Sequence, residues 1–176
     1  LNGNYHGYVS SHLTSPSIVI PNADQNPRLR FWHWYSFSGG DYGKVQIKVN
    51  GTEDWVDVSS SYTASGSNVW THPSIDLSDY AGQTVQIAFY FNSDHVYSGT
   101  GWYIDNIEIV TGSIVFNNPE DWESGIGDWA AERGTWEVGS PTNGPGTAYK
   151  GEQCAATVLN GNYHGYVSSH LTSPSI

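Results

Sequence analysis

The carboxylate that most invites chemistry is Asp105. It stands in Gly101-Trp102-Tyr103-Ile104-Asp105-Asn106-Ile107, among apolar neighbours. An ionised carboxylate beside Ile and Trp side chains is costly unless something compensates it. It needs a partner, and the plain one is a set of backbone N–H groups at a strand end; the excess of carboxylates over the whole chain reads either as solubility or as affinity for a hard cation such as Ca²⁺. Other acids are plainer. Asp41, inside Gly39-Gly40-Asp41-Tyr42-Gly43, reads as a turn residue. Asp94 has the same status, and Asp121 reads as surface.

Histidine, serine and cysteine offer little catalysis. His6 and His164 are one residue met twice, and so are His12 and His170. No His-x-x-x-His or His-Glu-x-x-His pair is present, so zinc has no support. Ser11 and His12 are neighbours that face opposite ways on a strand, which makes a poor nucleophile and base. There is no Gly-x-Ser-x-Gly elbow and no Gly-rich stretch carrying a phosphate-loop Lys. The chain is therefore expected not to be an enzyme. Cys154 is the only cysteine; it is either a small buried hydrophobe or a bridge to another subunit.

Aromatic rings are the remaining binding candidates. Trp55 and Trp70, with Tyr62, Tyr80 and Tyr97, lie near loops beside Asn and Asp. Such rings either stack on sugar faces as possible glycan contacts or cap the ends of a sandwich. Asn50-Gly51-Thr52 is the sole N-glycosylation sequon, which makes Asn50 a possible attachment site.

Charge and size bound the partners. The chain has 176 residues and a formal charge of −11. Phosphate binding needs a basic patch, so nucleic acid is excluded as a partner, and an anionic membrane surface is disfavoured. No apolar run approaches the roughly 20 residues of a membrane span, so no membrane insertion is expected. Only 38% of residues are hydrophobic, yet eight are Trp and twelve Tyr. The core must be built from large rings. A surface rich in Gly, Ser, Thr, Asn and Tyr and poor in Lys points to an extracellular or cell-surface location. The chain opens on Leu1 rather than Met, which reads as a processed product or a piece of something longer.

The elements that must position these residues are strands. In 28–35 one face carries Leu29, Phe31 and His33 and the other Trp32 and Trp34. Val45, Ile47 and Val49 share a face, as do Val85, Ile87, Phe89 and Phe91, and 102–109 alternates in the same way. Period-two alternation marks strands with one buried face. Gly/Ser/Asn clusters at 38–43, 59–68, 92–101 and 139–146 read as loops. No apolar stripe at helical spacing runs for three turns; 75–82 holds at most one short turn, ended by Gly82. The pattern predicts an all-β antiparallel sandwich. A hinge at Thr111-Gly112-Ser113 precedes an expected new strand at 114–116.

One repeat overlies this pattern. Residues Leu1 to Ile18 recur without a change as Leu159 to Ile176, a period of 158 residues (159 minus 1). Long-period identity marks a tandem array. Two identical segments compete for one structural slot, and one can fill that slot in a neighbour. Tyr5, Tyr8, Val9 and Leu13, with their duplicates Tyr163, Tyr166, Val167 and Leu171, form an expected assembly segment. The predicted partner is the chain itself, as tandem neighbours or a head-to-tail homopolymer joined by shared strands.

Several stretches also carry a family resemblance: Asp121-Trp122-Glu123-Ser124-Gly125, Thr135-Trp136-Glu137-Val138-Gly139-Ser140-Pro141, Leu171-Thr172-Ser173-Pro174, Leu29-Arg30-Phe31-Trp32-His33-Trp34-Tyr35 and Gly101 to Ile107. Together they resemble the MAM-like jelly-roll modules of secreted bacterial proteins, which accompany immune-inhibitor-A-type and subtilisin-like peptidases and anchored surface proteins. The resemblance covers nearly the whole period, with its parts in reversed order. It implies that 1–113 is the C-terminal part of one jelly-roll unit and 114–176 the N-terminal part of the next, a circularly shifted frame. Either 114–176 folds back onto 19–113, or it completes a module with a neighbouring unit. The resemblance further implies a structural Ca²⁺ held by Asp105 and Glu123. Two functions follow as expectations. One is a repeating, non-catalytic subunit of a surface fibre or filament. The other is a Ca²⁺-stabilised carbohydrate-binding or adhesion module attached to a secreted hydrolase.

Overall fold

Alternating side chains settle the architecture. Strand faces that carry Leu29, Phe31 and Tyr35, or Val45 and Ile47, or Val85, Ile87 and Phe89, cannot stay in water, and each of these residues is buried. The computed structural model describes residues 3–63, 69–165 and 167–175. The chain runs through β1 (Ser10–Thr14), β2 (Ile18–Val19), β3 (Arg28–Ser36), β4 (Tyr42–Val49), β5 (Val56–Asp57), β6 (Tyr62–Thr63) and β7 (Ser74–Asp76). It continues through β8 (Thr84–Asn92), β9 (Gly101–Val110), β10 (Ala130–Glu132), β11 (Glu137–Gly139), β12 (Cys154–Ala156) and β13 (His170–Thr172).

Two antiparallel sheets face each other. One follows the order β1-β8-β4-β5, with β2 also on β8 and β6 on β4; the other is β7-β3-β9. The core lies between them. Leu29, Phe31 and Tyr35 from the smaller sheet pack with Val45, Ile47, Val85, Ile87 and Phe89 from the larger. The Phe31 and Phe89 rings meet edge to face, centroids 5.0 Å apart. The all-β antiparallel sandwich read from the sequence is the fold observed, and the one short turn expected in 75–82 appears as a 3₁₀ turn at Ser78–Tyr80. Gly82 follows it at φ 72°, a conformation that favours glycine.

His33 sits fully buried in this ring-rich interior. Its Nδ1 accepts the Trp102 indole N–H at 3.3 Å, so the ring proton resides on Nε2. His72 lies on the outer side of β3, stacked on Trp32 at 4.5 Å and accepting a bond from Arg30 at 3.0 Å.

The segment 114–176 packs back onto the same chain. Arg28 and Arg30 of β3 turn outward yet are buried. Arg28 donates to Asp128 Oδ1 at 3.1 Å. Arg30 donates to the carbonyls of Gly127 and Trp129 at 2.6 and 2.7 Å. The Ala131 N–H donates to the His72 carbonyl at 3.1 Å. This part of the chain contributes two separate two-stranded ribbons, β10-β13 and β11-β12, rather than strands of the main sheets. The strand expected at 114–116 is not formed. The Val115 N–H donates to Asp128 Oδ2 at 2.7 Å instead of to a neighbouring strand. Asp128 thus fastens both the arginines and the linker.

Two outcomes are expected from these contacts. Burial holds the His33 ring far below its ordinary value, at about 3, with His72 adding to the effect. Burial and then the Arg30 charge hold His72 at about 4. Both rings are neutral in the folded protein, whereas the unfolded chain takes up protons near 6.5. Their contribution to stability is therefore complete above pH 6.5 and is lost as pH falls toward 3–4, by about 1.4 kcal/mol per unit for each ring. Urea midpoints at pH 7, 5.5 and 4.5 should fall in that order, and a constant midpoint would contradict the burial of both rings. Asp128→Ala should cost about 2 kcal/mol, because Arg28 loses its charged partner in a half-dry site. The urea midpoint at pH 7 measures it; an unchanged midpoint would show that 114–176 is not fastened there.

Candidate functional site

The outer face of the six-stranded sheet collects rings and polar groups in one patch. Alternation puts Val45, Ile47, Ile87 and Phe89 inside, so their neighbours Lys44, Gln46, Ala88 and Tyr90 point outward. Register then sets them side by side. Lys44 lies opposite Tyr90 and Gln46 opposite Ala88, while His12 lies opposite Tyr90 on the other side. Ala88 is small and leaves a gap between β1 and β4. His12 reaches across it, and its Nε2 meets Gln46 Oε1 at 2.9 Å. The His12 ring stacks on Trp55 at 5.2 Å and leans on Tyr90 at 4.6 Å. Lys48 lies 5.2 Å over the Trp55 ring. Tyr42 meets Tyr90 edge to face at 6.1 Å.

Polar groups frame the rings. Lys44 Nζ donates to Asp57 Oδ2 at 2.6 Å, and Gln46 Nε2 donates to Asp57 Oδ1 at 2.7 Å. Partial burial pushes the Asp57 carboxyl up, but the bonds from Lys44 and Gln46 outweigh it and hold the group below its usual range. The bond to Asp57 in turn raises Lys44. The Tyr90 hydroxyl accepts from Asn92 at 3.2 Å and shares a hydrogen bond with Ser10 at 3.1 Å. Those bonds, the one to Ser10 foremost, lower its pKa. The patch therefore offers ring faces, an ammonium group, an amide and hydroxyls within one sheet surface. That mixture suits a flat, neutral, hydroxyl-rich ligand.

The residues singled out from the sequence divide among several places. Trp55 belongs to this patch. Trp70 does not; it is 43% exposed and precedes Thr71, which bridges β3 of the other sheet. Asn50 is exposed in the turn that follows β4. Asp105 lies exposed on β9, and its Oδ1 accepts the Asn106 N–H at 2.8 Å. Glu123 Oε1 accepts the N–H groups of Glu152 and Gln153, each at 2.9 Å. Both carboxylates thus bond main-chain donors. Among the described residues no group of three or more His, Cys, Asp or Glu gathers to hold a metal ion.

The assembly residues also separate. Tyr5 is half-buried, packed edge to face on Phe91 at 4.9 Å. Tyr8 and Leu13 are 79% and 64% exposed, and Val9 is half-buried. In the second copy Tyr163 is exposed, Val167 and Leu171 are half-buried, and Tyr166 lies outside the described residues. Cys154 is half-buried with a free thiol. Asp41 closes the turn read from the sequence, its N–H donating to the Ser38 carbonyl at 3.1 Å, and it is buried there, 1% exposed. It accepts the Tyr5 hydroxyl and, at 2.7 Å, the Asp94 N–H. These partners lie 36 and 53 residues away, beyond any local sequence signal. His12, Gln46, Lys44 and Tyr90 were equally invisible as a group, because only register brings them together.

The fold is an all-β antiparallel sandwich, and the patch is the most ring-rich part of the outer face of its larger sheet. No known protein-family profile matches the chain. It is 34% identical over 108 residues to Bacillopeptidase F of Bacillus subtilis (strain 168). The match covers 61% of this chain and 7% of that protein, so the chain corresponds to a small part of its length. Among the described residues no helix is long and apolar enough to cross a membrane.

Proposed function

We propose that this chain is a non-catalytic accessory module of an extracellular peptidase, and that the outer face of its six-stranded sheet binds polysaccharide. The observation that carries the binding role is the Trp55–His12–Tyr90 cluster on an open sheet surface, ringed by Lys44, Gln46 and Asp57. Sugar rings stack on such faces while their hydroxyls exchange hydrogen bonds with the surrounding amide, ammonium and carboxylate groups. The similarity to a small part of a peptidase supports an appended module, and it supports this reading over a self-assembling fibre. The MAM-like resemblance points the same way. Its motifs in 29–35 and 101–107 fall on β3 and β9, the central and one edge strand of the smaller sheet. Net charge −11 agrees with an uncharged glycan as the ligand class.

Affinity electrophoresis against a panel of neutral polysaccharides, with pull-down on chitin, cellulose and peptidoglycan, tests the proposal. At least one should retard the wild-type chain. Trp55→Ala should weaken that binding about tenfold, the scale of one lost ring stack, whereas Trp70→Ala should leave it unchanged. A Trp55→Ala variant that binds like the wild type would overturn the assignment of this face.

A further inference from the structure

The duplicated segment pairs differently in its two copies, and the difference lies in which strand edge is used. In the first copy, β1 lies along β8 with Leu13 opposite Phe89. The Ser15 N–H donates to the Ile87 carbonyl at 2.8 Å, and the Ser93 N–H donates to the Val9 carbonyl at 2.9 Å. Main-chain groups alternate between the two edges of a strand. Residues 9, 11, 13 and 15 therefore point theirs at β8, and His12 and Thr14 point theirs away from it. β1 ends the sheet order, so among the described residues no strand pairs with that outer edge.

The second copy shows what the outer edge can hold. In β13, His170, Leu171 and Thr172 repeat His12, Leu13 and Thr14, and they pair with β10: Glu132 opposite His170, Ala131 opposite Leu171, Ala130 opposite Thr172. The Ala131 N–H is directed at the His72 carbonyl, away from β13. By the same alternation Ala130 and Glu132 direct their groups at Thr172 and His170. The second copy thus binds β10 through the edge that the first copy leaves free. One peptide has two compatible edges, and each copy uses one of them.

We propose that the outer edge of β1 is a docking site for β10 of a second copy of this chain, with Ala130, Ala131 and Glu132 opposite Thr14, Leu13 and His12. The identical peptide already makes this ladder within the chain, which fixes both the occupant and its register. Glu132 would then face His12, a polar pairing that repeats Glu132 with His170. The adjoining surface is suited to being covered. A groove of about 370 Å³ opens between the two sheets beside β1, lined by Leu13, Pro16, Ile18, Phe89, Ile107 and Ile109. Leu13 is 64% exposed and Ile107 50%. In the second copy the equivalent Leu171 is half-buried by its pairing region. β10 is fastened at His72 through its other edge, so the occupant comes from another molecule, whose β10 keeps that bond and exchanges its own β13 for β1.

Two proline substitutions in the full-length chain test this with opposite signs. The Thr14 N–H faces away from β8, so Thr14→Pro removes an outer-edge donor and spares the ladder to β8; proline is tolerated on such an edge. Thr172→Pro removes the equivalent donor toward β10 and so releases β10 to a neighbour. Light scattering on a sizing column should show the wild type gaining mass above one chain as concentration rises. Thr14→Pro should stay at one chain at every concentration, and Thr172→Pro should associate at lower concentration than the wild type. Far-UV circular dichroism checks that each variant is folded. Disulfide trapping gives a second readout that needs no proline. On a Cys154→Ser background, Leu13→Cys mixed with Ala131→Cys should form a crossed dimer, and Leu13→Cys mixed with Val115→Cys should not. A monomeric wild type at all concentrations together with no crossed dimer would overturn the proposal, as would equal trapping of both mixtures.

Discussion

The contact between Phe31 and Phe89 sets the terms for the rest of the molecule. It joins the central strand of the smaller sheet to a central strand of the larger one, ring edge to ring face. Once that spacing is fixed, every alternate residue on β3, β4 and β8 is committed to the interior, and its neighbour to the surface. Tyr35, Tyr62, Trp102 and the neutral His33 fill the space that aliphatic residues would fill in a less aromatic core. His33 is tolerated there because Trp102 supplies a donor to one nitrogen and because the ring gives up its charge.

The surface patch is the outward consequence of the same commitment. With Ile87 and Phe89 inside, Ala88 and Tyr90 must face out, and the small Ala88 opens the gap that His12 crosses. Trp55 then lies over that crossing and is flanked by Lys48. The face thus combines aromatic rings with an ammonium group, an amide, a carboxylate and hydroxyls on one sheet surface.

The relation between 1–113 and 114–176 rests on a different force. Arg28 and Arg30 are charged groups on the outer face of β3, and they are buried only because Asp128 and the carbonyls of Gly127 and Trp129 cover them. Buried cations need such partners. The C-terminal segment is consequently held by polar contacts at one sheet face, while its own short ribbons stay outside the main sheets. The apolar groove beside β1 belongs to the opposite margin of the sandwich, beyond the reach of that docking.

Much of the fold was legible in the residues alone. Alternation at 28–35, 44–49, 84–91 and 102–109 located four long strands to within a residue or two, because a half-buried strand must repeat every second position. The identity of 1–18 with 159–176 was equally plain. What no local pattern contains is register and distance. The burial of Asp41 under Tyr5, the capture of Arg28 by Asp128, and the meeting of His12 with Gln46 join residues 34 to 100 positions apart. The strand expected at 114–116 failed for the same reason, since its N–H found a carboxylate instead of a neighbouring strand. Sequence determined which face of each strand turns inward, through the cost of wetting apolar side chains. Tertiary structure alone decided which strands lie side by side, and hence that two identical peptides present opposite edges to different partners.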